Sequence, residues 1–182
     1  DMLSAKSDDD EHLPEQFEHH RILALVYRSI GLGFFMQGNL TEGLEWQQRS
    51  FDLYQQIEDG PNMATVSMEL AITHNNLGKK ETARPLFHFA LESWREVHNL
   101  MGQATVLNCL GVSDQEQGRY REAFITLAEA IDYARRSGYI RMESFTLTSL
   151  GDVVFEGGLM QAAHTFYNEA YTLANRSDER FL

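Results

Sequence analysis

Apolar residues recur along this chain at the spacing of a helix rather than a strand. Ala123, Leu127, Ala130, Ile131 and Ala134 fall at i, i+4, i+7, i+8 and i+11, which places them on one helical face. Compared with itself, the chain repeats every forty residues. Gly31, Ala71, Gly111 and Gly151 stand in register, each after a branched aliphatic residue (Ile30, Leu70, Leu110, Leu150), where a small side chain lets two helices touch. Seven residues on come Gly38, Gly78, Gly118 and Gly158, each able to take the left-handed conformation that ends a helix. Gly43, Ala83, Ala123 and Ala163 follow, then Ser50, Ala90, Ala130 and Ala170, with the bulky Phe51, Leu91, Ile131 and Tyr171 beside them. The pattern predicts eight helices: first helices near 17–37, 61–77, 101–117 and 141–157, and second helices near 41–58, 81–98, 121–136 and 161–176. Pro14 and Pro61 are expected in connections. Pro85 is expected in the first turn of a second helix, where a missing N–H costs little.

These residues resemble a tetratricopeptide repeat over almost the whole chain. Leu110-Gly111 and Leu150-Gly151, then Gly118, Tyr120, Glu122-Ala123 and Ala130, match the spacing of twelve and then seven between the motif's small residues. The unit departs from that family's usual repeat of about 34 residues, lacks the Trp near the start of the first helix, and has Asp114 where an aromatic is customary. A HEAT-type array is the second reading of so long a unit. The resemblance implies an all-α fold, a right-handed α-solenoid of four helix-turn-helix units near 17–60, 61–100, 101–140 and 141–180. Units of this length, with a linker such as Arg136-Ser137-Gly138-Tyr139, are similar to the arrays of bacterial STAND-class signalling ATPases, including LuxR-type transcription activators of the maltose-regulator kind. Kinesin light chains carry a comparable unit.

Composition narrows the function classes. In 182 residues, 43% apolar and 11% aromatic content suits a packed core, while 27 acids against 15 bases leave a net charge of −12. Such a charge repels nucleic acid and anionic lipid, and no apolar run approaches the roughly 20 residues that span a bilayer. The chain reads as soluble and cytoplasmic. A single cysteine, Cys109, excludes an internal disulfide framework. Residues 1–20 hold seven acids against Lys6 alone, and residues 1–16 are expected to form an acidic loop or the end of a preceding unit. Because the chain opens on Asp1, further sequence upstream is expected. Continuation past Leu182 is expected as well, since Arg176-Ser177 echoes Arg136-Ser137 and Phe181-Leu182 fall where another first helix would start.

Candidate chemistry is thin. His19 and His20 are neighbours that point to different sides of a helix, and no HExxH-type spacing accompanies them, so no metal is expected. His88, His98 and His164 fall on second helices, and His74 alone could face a ligand. Cys109, deep in a first helix and without a His in register, reads as an inert thiol. The glycines form neither GxGxxG nor GxxxxGK[ST]. No cofactor and no catalytic residue is expected.

What remains is the groove that, by the resemblance, the first helices line. The candidate contacts are Arg28, Phe35, Met36, Glu69, Asn75 and Asn76, then Asn108, Gln115, Glu116, Asp152, Phe155 and Glu156. Leu32, Ile72 and Val112 either join them or merely pack neighbouring helices. Amides bind backbone or hydroxyl groups from two sides, and the acids favour a neutral or basic partner. The Lys and Asn clamp by which some family members grip a terminal carboxylate is missing, since only Arg28 is basic and Leu32 stands in place of the Asn. The expected function is non-catalytic protein or peptide binding, as the effector-sensing or partner-docking module of a bacterial signalling or transcription regulator. The alternative is a free-standing adaptor. A small polar effector and self-association through the last unit are further expectations.

Overall fold

The structure, a computed structural model, describes the backbone of residues 8–178 and the side chains of residues 16–175. The described residues form eight helices and no strand: α1 (Asp8–Met36), α2 (Leu40–Gln56), α3 (Gly60–Asn76), α4 (Lys80–Glu96), α5 (Leu100–Glu116), α6 (Tyr120–Ser137), α7 (Ile140–Glu156) and α8 (Met160–Asp178). All the turns have one geometry. Gly38, Gly78, Gly118 and Gly158 hold φ of +80°, +74°, +73° and +80°, the left-handed conformation that closes a helix without a Cβ penalty. The connections from second helix to next first helix use the same conformation at Glu58, His98 and Gly138, again forty residues apart. Asp59 and Asn99 then cap the following helices, their side chains accepting from Asn62 N (3.2 Å) and Gly102 N (3.0 Å).

The chain divides into two compact units, residues 1–78 and 79–182. In the first, α2 turns Gly43, Gln47, Ser50 and Tyr54 inward at spacings of four, three and four. A Cβ on Gly31 would stand 3.1 Å from the Gly43 carbonyl oxygen, so the small residues there are what lets α1 and α2 approach. Two buried polar pairs hold hydrogen bonds here. Ser50 Oγ donates to the Ala24 carbonyl (2.8 Å), and Thr73 Oγ1 donates to Gln47 Oε1 (2.9 Å).

In the second unit, α6 buries Ala123, Leu127, Ala130, Ile131 and Ala134, the stripe that periodicity picks out. Ile131 and Leu127 join Leu147, Leu150 and Val153 of α7 in one apolar cluster. Gly111 admits Leu127, Gly151 admits the Tyr167 ring, and Gly102 admits Trp94. Ser144 Oγ donates to the Ala170 carbonyl (2.9 Å), at the same two repeat positions as Ala24 and Ser50 but with the donor on the other helix. Asp114, where an aromatic is customary, is 2% exposed and accepts from Arg84 Nη1 (2.7 Å) and Arg119 Nη2 (2.5 Å), tying α4 and the α5–α6 turn to α5. Leu91 and Ile131 are buried, whereas Tyr171 at the same position of α8 is 69% exposed.

Five expectations need correction. The acidic stretch is helical from Asp8 onward, so α1 begins nine residues before the apolar pattern does. Polar, acidic sequence lacks the apolar stripe by which periodicity marks a helix, so a helix there leaves no such signal. Pro14 consequently lies inside α1, and Pro61 is in the first turn of α3 rather than in a connection. Pro85 sits in the second turn of α4, because that helix starts at Lys80, and there it removes a bond that the helix would otherwise make. His98 lies in the α4–α5 turn rather than on a second helix. Residues 1–7 and the Phe181-Leu182 signal fall outside the described residues, as do the side chains of Arg176 and Ser177.

Candidate functional site

Within each unit, side chains of successive first helices meet at a separation of forty-one residues, one repeat plus one position. In the first unit Arg28 of α1 grips Glu69 of α3: Nη2 donates at 2.6 Å and Nε reaches both carboxylate oxygens at 2.9 Å. In the second, Gln115 Nε2 of α5 donates to Glu156 Oε1 of α7 (3.3 Å) by the same step. The polar residues expected to await a ligand are thus in good part engaged with one another. Glu116 pairs with Lys80 Nζ (3.3 Å), and Asp152 accepts the Tyr167 hydroxyl proton (2.7 Å). Burial and that bond together push the Tyr167 phenol up to about 12.

The remaining candidates keep contact surface. Met36 is 79% and Phe155 52% exposed, Phe35 and Asn75 are half-buried, and Asn76 is exposed. Asn108 is half-buried on α5, and its Oδ1 is buried without a hydrogen-bond partner. It lies seven residues, two helical turns, before Gln115, so both share one stripe of the helix. Ile72 and Val112 are half-buried, and Leu32 is exposed. Twelve candidates therefore resolve into two first-helix faces, one per unit, in which the charged groups are held by neighbouring side chains and Met36, Phe155, Asn76 and Asn108 keep groups for contact.

Desolvation pushes the Cys109 thiol up to about 12, which keeps it protonated and unreactive at neutral pH. Among the described residues, no group of three His, Cys, Asp or Glu gathers as a metal site requires. No described helix is long and apolar enough to cross a membrane.

The family model for the tetratricopeptide repeat matches residues 22–96, 62–136 and 102–176, three windows that themselves step by forty residues. The chain belongs to the tetratricopeptide repeat family. Among solved structures it is similar to BtubC (BKLC) from P. vanneervenii, with a TM-score of 0.76 at 19% identity over 95% of this chain and 76% of that one. It is similar also to the apo form of RapI, TM-score 0.76 at 16% identity over 86% and 57% of the two chains. PilF of Pseudomonas aeruginosa matches with a TM-score of 0.67 at 23% identity over 87% and 63%. At such identities these likenesses establish the repeat fold and leave the ligand to be argued from the residues. No curated protein matches the sequence.

One surface of this repeat protein escapes sequence reasoning. Between α6 and α7, Tyr120, Phe124, Ile125 and Leu159 border an open groove of about 490 Å³ floored by Val153 and Val154. The first three lie on α6 off its buried stripe, and apolar residues there are the signal that a search confined to the first helices passes over.

Proposed function

We propose that this chain is a non-catalytic binding module that docks a peptide, a partner helix or a small polar effector on its first-helix faces, as the sensing or docking arm of a cytoplasmic bacterial signalling regulator. The observation that carries the reading is the division of labour on those faces. Arg28, Glu69, Glu116, Asp152 and Glu156 are held by neighbours of this chain. Met36 and Phe155 stay exposed, and the Asn108 carbonyl oxygen lacks a donor. A buried acceptor left unmade costs about 1–3 kcal/mol, which a ligand N–H or O–H would recover. On the second unit's face, Phe155 of α7 and such an acceptor on α5 supply the apolar and polar groups that a peptide site uses.

The test starts from peptides selected on the immobilised chain out of a random library, their affinity then measured by calorimetry. Met36→Ala should weaken a peptide selected on the first unit's face, and Phe155→Ala and Asn108→Ala one selected on the second unit's face, each by about 1 kcal/mol or more without changing helicity. If those variants bind normally while Arg95→Ala or Tyr133→Ala on the second helices abolishes binding, the first-helix faces are not the site.

A further inference from the structure

The groove between α6 and α7 occupies the same repeat positions as the Asp114 ion-pair cluster, forty residues on. Lys80, Arg84, Pro85, Ser113, Asp114 and Arg119 become Tyr120, Phe124, Ile125, Val153, Val154 and Leu159. At the earlier position the arginines close over their buried carboxylate. At the later one six apolar side chains surround an open space of about 490 Å³, with Ile125 58% and Leu159 60% exposed. The fold is evidently built without apolar surface at this place in the preceding repeat. Exposing it here costs solubility and calls for an occupant.

Charge says what kind. Arg121 lines the groove. Among the described side chains, every other arginine has a partner: carboxylates hold Arg21, Arg28, Arg84, Arg95, Arg119, Arg135 and Arg136, and rings lie under Arg49 and Arg141. Arg121 alone has neither. In a chain of net charge −12, the one unpaired guanidinium among the described side chains stands on the rim of an apolar groove.

We propose that the α6–α7 groove is a second docking surface, specific for an acidic amphipathic segment of a partner protein. Apolar side chains one helical turn apart enter between Phe124, Ile125 and Leu159, and a carboxylate of the segment takes Arg121 in a bidentate pair. This surface shares α7 with the second unit's first-helix face but none of its candidate residues, and it has the opposite charge preference.

The probes are two synthetic amphipathic helices sharing one leucine stripe, one with glutamate and the other with lysine at the remaining positions, titrated by fluorescence anisotropy at physiological salt. At that ionic strength the screening length is about 8 Å, so charges at the rim outweigh the distant net charge. Arg121→Glu should lower the affinity ratio of the glutamate to the lysine peptide at least about tenfold, and Arg121→Gln should give an intermediate ratio. Ile125→Asp should weaken both peptides at least about tenfold. Because Arg121 and Ile125 are exposed, these variants should keep the native helical circular dichroism. An unaltered ratio in Arg121→Glu overturns the proposal, as does full binding in Ile125→Asp. So does failure of both peptides to bind while sedimentation shows a dimer that Ile125→Asp dissociates, since the occupant would then be a second copy.

Discussion

Glu58 and His98 each hold φ of +53°, a conformation that glycine adopts freely and an L side chain does not. The cost for a residue with a Cβ is about 1–2 kcal/mol, less what glycine loses through greater freedom in the unfolded chain. The third turn of the set uses Gly138 at +69°. Glu58→Gly and His98→Gly should therefore each raise stability, by about 0.5–1 kcal/mol net, as read from urea unfolding midpoints. A fall in the midpoint would mean that these side chains make compensating contacts. At this scale the sequence pointed clearly to the glycine turns and said nothing of the others. A recurring glycine marks its own backbone conformation, whereas Glu58, His98 and Gly138 share a conformation without sharing a residue type.

Pairs of helices approach through the small residues of the repeat, and the approach is not equally tight everywhere. A Cβ added to Gly111 would stand 2.5 Å from Cγ of the fully buried Leu127, a branch point that has nowhere to move. At Gly151 the obstacle is the far edge of the Tyr167 ring, which is only half-buried and can swing by giving up Asp152. Gly111→Ala should accordingly cost about 1–3 kcal/mol in thermal unfolding, as overpacked cores do, and Gly151→Ala distinctly less. Equal losses would show that ring and leucine are equally confined. Helix extents came through well from periodicity, because a buried stripe must repeat at the helical period over its full length. The start of α1 did not, since the helix there continues past its apolar stripe.

Each of the two units carries its own core. Residues 79–182 enclose the cluster of Leu127, Ile131, Leu147, Leu150 and Val153, a second one of Ala104, Ala134 and Met142, and the Asp114 ion pairs. In a repeat protein each unit contacts only its neighbours, so such a piece holds most of its stabilising contacts without the rest. Residues 79–182 alone should give a helical circular dichroism spectrum that melts cooperatively. A featureless, coil-like spectrum would mean that this core depends on the first 78 residues.

Taken by itself, the sequence determined the helical class, the forty-residue unit, the buried stripe of α6 and the small-residue contacts. All of these follow from local periodicity and from what a missing side chain permits. Only the tertiary structure decided which polar groups spend themselves on one another. Arg28 and Glu69 read as ligand contacts along the chain, yet they meet as a pair because stacking brings adjacent first helices together one repeat plus one residue apart. Asp114 read as a lapse in the motif until two arginines closed over it. The α6–α7 groove exists where that cluster's repeat positions turn apolar and stay open, a property of space between helices that no single stretch of sequence carries.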